Sequence, residues 1–161
     1  MPAPAKATLE GLSKGIQAEL SAYVFYKKAM EVTKDDKLRD LLAILAAEEK
    51  VHYRILEGQY DSLVRSEMWV SYNDILNREG LPDIDERMAD VHLELLEELT
   101  ETASPMRILE IALRLEEQAR DLYADLGQKT DDPNGKETYE YLVKFENTHV
   151  KKIQTTMKEF K

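Results

Sequence analysis

The stretch Glu49-Lys50-Val51-His52 recurs 97 residues later as Glu146-Asn147-Thr148-His149, and each copy lies inside an apolar stripe of helical spacing. Residues three apart on an α-helix share a face, about 60° apart around the axis, so a Glu and a His at this spacing can hold one metal ion together. One such pair is weak evidence. Two, each embedded among apolar residues, constrain the fold, because a carboxylate inside a bundle costs several kcal/mol unless it is protonated or paired with a cation. The helical pattern before each pair carries one lone Glu on its apolar face, Glu19 before the first and Glu116 before the second. The set is then four Glu and two His.

The same offset lays Glu19 on Glu116, Tyr26 on Tyr123 and Leu45 on Leu142. A shift that superposes charged residues together with their apolar neighbours implies two related helical hairpins. The expected fold is therefore all-α, a four-helix bundle in which a long crossover connection joins helices two and three. A chain of 161 residues fits a single domain over 1–161 and can bury a real core.

From Thr8, read as an N-cap, residues Leu9, Leu12, Ile16, Leu20, Tyr23 and Met30 mark helix one as far as about Thr33. The run Lys34-Asp35-Asp36-Lys37 is the turn. Helix two presents Leu38, Leu41, Leu42, Leu45, Glu49, His52, Tyr53, Leu56 and Leu63, with Glu48, Lys50, Arg54 and Glu57 outside the stripe. In the connection over 64–104, Trp69, Tyr72, Ile75 and Leu76 suggest a segment packed on the bundle, which Gly80-Leu81-Pro82 breaks. Asp83 and Glu86 resemble a capping box, and Met88, Val91, Leu95 and Leu99 predict a short amphipathic helix. His92 lies beside that stripe with no acidic partner and is read as structural or exposed. Ser104-Pro105 starts helix three, with Ile108, Ile111, Ala112, Leu115, Ala119, Tyr123 and Leu126 inside; Gly127 is read as its end. After a turn over 131–135, helix four presents Tyr139, Leu142, Glu146, His149, Val150, Ile153, Met157 and Phe160.

Composition narrows the function. A formal charge of -10 disfavours nucleic acid and anionic membrane as partners, since phosphate neutralisation needs clustered Lys and Arg. No apolar run approaches the roughly 20 residues that cross a bilayer, and the first six residues lack the apolar segment of a secretion signal, so a cytoplasmic location is expected. With no Cys, disulfides and Cys-ligated zinc or iron centres within this chain are excluded.

Four carboxylates facing one another in a bundle repel, and two divalent cations neutralise them. Oxygen and imidazole ligands without thiolate suit iron or manganese, with zinc compatible on ligand type alone. The expected geometry has the two Glu of the Glu-x-x-His pairs, Glu49 and Glu146, bridging, with one terminal Glu and one His completing each ion. Tyr26 and Tyr123 each follow a lone Glu by two helical turns. They either donate hydrogen bonds to metal-bound carboxylates, or line an electron path, or simply pack in the core with satisfied hydroxyls.

A Glu from each of two helices and a Glu-x-x-His from each of the others is the inward arrangement of ferritin-like dinuclear bundles. Over residues 9–64 and 104–160 the sequence resembles the diiron-binding domain of rubrerythrins, within the ferritin-like superfamily. That resemblance implies a nonheme diiron centre held by Glu19, Glu49, His52, Glu116, Glu146 and His149. It also implies reduction of hydrogen peroxide or reaction with oxygen. Two departures stand out. Rubrerythrins usually add a four-Cys rubredoxin-like site, so this chain would draw electrons from an external donor such as a rubredoxin. They also carry an extra Glu one turn before the terminal Glu of helix three, where this chain has Leu113. A symmetric six-ligand site, nearer to that of bacterioferritin, is the expectation.

The leading reading is a diiron peroxidase or oxidase, expected to pair as a homodimer. The others are a ferroxidase for iron storage or detoxification, and a bundle whose metals are structural.

Overall fold

The structure, a computed structural model, describes residues 6–78, 99 and 103–160. Among them lie four long helices and one short one: α1 (Lys6–Val32), α2 (Asp36–Ser66), α3 (Tyr72–Leu76), α4 (Pro105–Lys129) and α5 (Pro133–Glu159). The three-residue links after α1 and α4 force antiparallel hairpins, α1 on α2 and α4 on α5. The hairpins then meet chiefly through α1 against α4, and more sparsely through α2 against α5. The all-α bundle expected from the repeat is what forms.

Local chemistry fixes most helix ends. The Asp35 side chain accepts from the Leu38 N–H at 2.8 Å, and that of Ser104 accepts from the Arg107 N–H at 3.1 Å, with Pro105 in the first turn. Arg39, one turn into α2, reaches back to the Met30 carbonyl at 3.3 Å and the Thr33 carbonyl at 2.5 Å, satisfying orphan acceptors at the end of α1.

Several boundaries differ from expectation. Helix α1 begins at Lys6, so Thr8 lies within the helix rather than capping it. Helix α4 runs past Gly127 to Lys129. Gly127 is buried, and a Cβ there would stand 3.2 Å from that of Tyr139, so the glycine serves close approach of α5 instead of ending α4. The stretch 131–135 is not wholly a turn either: Asp132 caps α5, accepting from the Asn134 N–H at 2.9 Å, and Pro133 opens the helix.

The start of the connection is clamped to the bundle. Gln59, fully buried, donates to the Val70 carbonyl at 2.6 Å and to Thr138 Oγ1 at 2.8 Å, and accepts from the Val70 N–H at 3.0 Å. Trp69 packs edge-on against Tyr139, with ring centroids 5.8 Å apart. Ile75 is buried as expected, whereas Leu76 is exposed. Leu99 is buried in the core. The expected break at 80–82, the cap at Asp83 and Glu86, the stripe Met88, Val91 and Leu95, and His92 lie outside the described residues.

The core divides in two. One cluster gathers Phe25, Tyr26, Ala29, Leu38, Leu42, Leu45, Ile108, Leu109, Ala112 and Ile153; the other holds Leu12, Leu56, Leu63, Trp69, Ala119, Tyr123, Tyr139 and Leu142. On every long helix the polar residues singled out by the repeat fall between the two clusters. They form a buried polar layer, closed by apolar packing at both ends. Among the described residues no helix is long and apolar enough to cross a membrane.

Candidate metal centre

The polar layer contains Glu19, Glu49, His52, Glu116, Glu146 and His149, each at most 1 % exposed. Their ligand atoms form two groups. Glu19, Glu49, His52 and Glu146 offer atoms within 4.8 Å of one another, and so do Glu49, Glu116, Glu146 and His149. Glu49 and Glu146 belong to both groups, in the place where bridging ligands were expected.

Each imidazole turns Nδ1 toward the carboxylates. His52 Nδ1 lies 3.0 Å from Glu146 Oε1 and 3.7 Å from Glu19 Oε1. His149 Nδ1 lies 3.2 Å from Glu116 Oε2, 3.4 Å from Glu49 Oε1 and 3.6 Å from Glu146 Oε2. Glu19 Oε2, Glu49 Oε1 and Glu146 Oε2 are buried without a hydrogen-bond partner. Orphaned buried carboxylate oxygens cost free energy that a divalent cation removes. The residues are therefore compatible with a dinuclear metal site whose ions would be held by oxygen and imidazole.

Electrostatics shows the same demand for positive charge. Burial raises the pKa of Glu19, and the nearby Glu146 carboxylate raises it further. Burial would also raise Glu146, but the His149 and His52 imidazoles beside it bring it below the ordinary value. Burial alone would lower His52, yet the Glu19 and Glu146 carboxylates outweigh it and push the imidazole up to about 9. His149 is raised against its own burial by Glu146 and Glu48.

The two tyrosines cross between the hairpins. Tyr26 on α1 donates to Glu116 Oε1 on α4 at 2.5 Å, and Tyr123 on α4 donates to Glu19 Oε1 on α1. Burial, with neighbouring carboxylates, pushes both phenols well above their ordinary value, so both stay donors.

One residue departs from the expected symmetry. Glu48, placed outside the stripe by its sequence context, puts Oε2 against Nε2 of His149 and lies 3.6 Å from Lys152 Nζ through Oε1. The four carboxylates and two imidazoles expected are thus joined by a fifth carboxylate. Its sequence signal is faint: Glu48 follows Leu45 by three and precedes His52 by four, which sets it at the edge of the buried stripe. Leu113, one turn before Glu116 on α4, is half-buried against the core.

No protein-family model and no curated protein matches the chain. A solved structure, a hypothetical protein from Pyrococcus furiosus, superposes with a TM-score of 0.67 at 22% identity, covering 94% of this chain and 88% of that one. At that identity the likeness is one of fold.

Proposed function

We propose that the chain is a nonheme diiron oxidoreductase of the rubrerythrin type, reducing hydrogen peroxide or oxygen with electrons from an external donor such as a rubredoxin. The observation that carries this reading is the pair of buried carboxylates, Glu49 and Glu146, shared between two ligand groups that each add one Glu and one His. Bound iron would supply the electrons that leave for the oxidant. Glu49 and Glu146 would be shared by the two metal positions, with Glu19 and His52 completing one and Glu116 and His149 the other. Tyr26 and Tyr123 orient the terminal carboxylates by hydrogen bonds that cross the bundle. Apolar packing above and below the layer keeps bulk water from the reacting atoms. Manganese or zinc fits the same donors, but zinc supports no redox step.

A ferroxidase role in iron storage or detoxification is the second reading, favoured by Leu113 where rubrerythrins carry their extra carboxylate. Storage needs a shell of many subunits or an encapsulating partner, whereas peroxidase chemistry needs only a small oligomer, here a homodimer. Size-exclusion chromatography and electron microscopy separate the two.

The test is metal analysis of anaerobically purified protein, then stopped-flow mixing with peroxide and with oxygen. Two iron ions per chain and turnover of peroxide with a reductant are expected. Wild-type peroxide turnover in Glu49→Ala would remove the reading.

A further inference from the structure

The 97-residue repeat superposes Glu49 on Glu146 and His52 on His149, but one position earlier it sets Glu48 against Phe145. The structure turns this mismatch into two different imidazole environments. Nε2 of His149 meets the Glu48 carboxylate, which Lys152 flanks at 3.6 Å. Nε2 of His52 is buried with no hydrogen-bond partner; its ring is flanked edge-on by Phe145 at 5.2 Å, nearer than the 6.3 Å from Phe145 to the His149 ring, and by Tyr141 at 6.5 Å. The two ends otherwise share the same ligand types. Both bridging carboxylates are shared, and each terminal Glu accepts from a tyrosine of the opposite hairpin.

A carboxylate that accepts the Nε2–H of an imidazole fixes the tautomer with its lone pair on Nδ1, holds the ring plane and makes Nδ1 a stronger donor to a metal. A phenyl ring does none of these. We propose that Glu48 is a positioning residue that makes the position formed by Glu49, Glu116, Glu146 and His149 the tighter of the two, so that the two metals bind in a fixed order. The position ending in Glu19 and His52 fills second. The inference rests on the metal-centre reading alone and does not require redox chemistry.

The experiment titrates metal-free full-length chain with Co2+ under anaerobic conditions, followed by calorimetry and by the visible ligand-field bands of the bound ion. Wild type should show two resolved steps. Glu48→Leu should weaken the first step by about 10- to 100-fold, the usual effect of losing such an outer partner, and leave the second unchanged. Phe145→Glu, which offers a carboxylate beside the His52 ring, should tighten the second step and narrow the gap from the other side. Two indistinguishable steps in wild type, or a Glu48→Leu variant that keeps wild-type affinities or loses both steps equally, would overturn the proposal. Failure of wild type to bind two Co2+ would sink the metal-centre reading along with it. A chain that binds two metals in order yet never turns over peroxide or oxygen would sink only the oxidoreductase reading.

Discussion

The Tyr26 hydroxyl on α1 donates to Glu116 on α4 at 2.5 Å, so a residue of the first hairpin holds a terminal carboxylate of the second. The repeat makes the relationship reciprocal, because Tyr123 on α4 holds Glu19 on α1. Neither hairpin completes its own end of the site. The two must dock before either terminal Glu has its donor, which couples assembly of the bundle to assembly of the candidate centre.

Tyr26→Phe and Tyr123→Phe test this coupling with the least change of shape. A ring that served only packing would tolerate loss of its hydroxyl. Here each substitution leaves a buried carboxylate oxygen without its donor, a loss of about 1–3 kcal/mol. Thermal melts of the single variants should show losses of that order. Because the two hydrogen bonds share no atom, the double variant should lose about the sum of the two.

The metal-free chain should lose stability between pH 6.5 and 9. His52 is raised from its ordinary 6.5 to about 9 in the folded state, so its contribution is fully present below the unfolded value and fades as pH rises through the folded one. His149 is raised as well and acts with the same sign. Glu146, held low, contributes at the acid end, where its stabilisation is lost as pH falls through its folded value. Glu19, held high, opposes stability once it ionises. Metal binding needs neutral imidazoles, so the loaded chain should lack the alkaline fall, and binding near pH 7.5 should release protons. Melting curves with and without chelator, and calorimetry in buffers of different ionisation enthalpy, measure the two effects.

The bundle and the six converging side chains were legible because both follow from one periodicity. Apolar residues at helical spacing set the buried faces, and Glu or His inside such a stripe can only point inward. What was missed lies where tertiary context overrides a local signal. Glu48 sits at a stripe edge, and only the approach of α5 carrying His149 makes it part of the site. Gln59 carried no sequence signal of its own, yet Val70, where the chain leaving α2 folds back, and Thr138 on α5 together satisfy its amide. Gly127 looks like a helix stop because glycine usually is one. Helix α2, which ends at Ser66, is capped instead by Glu67, whose φ of 58° places a residue with a side chain in the left-handed region that glycine favours.

Gly58→Ala should destabilise the seat of the connection. A Cβ at Gly58 would lie 2.6 Å from Ile75 Cγ2, a branched atom that cannot swing aside without moving α3. Overpacking of this kind costs about 1–3 kcal/mol, more than the gain in helix propensity of alanine over glycine, roughly 1 kcal/mol. Melting should show a net loss, and hydrogen exchange should locate the added opening at α3 while the site layer stays protected.

Glu49 separates stability from function most sharply. In the metal-free chain its Oε1 is buried with no hydrogen-bond partner, in a layer shared with Glu19, Glu116 and Glu146. An apolar side chain of similar volume removes both the desolvation cost of that carboxylate and its repulsion with the other three, while the carboxylates that remain still face His149. Glu49→Leu should therefore raise the melting temperature of chelated protein. Metal reverses the sign: the wild-type chain gains stability on loading by mass action, and the variant, lacking a ligand shared by both positions, should gain little. Paired melts with chelator and with added Mn2+ should thus cross, the variant higher without metal and lower with it. Parallel losses in both conditions would mean that Glu49 serves the fold rather than a metal.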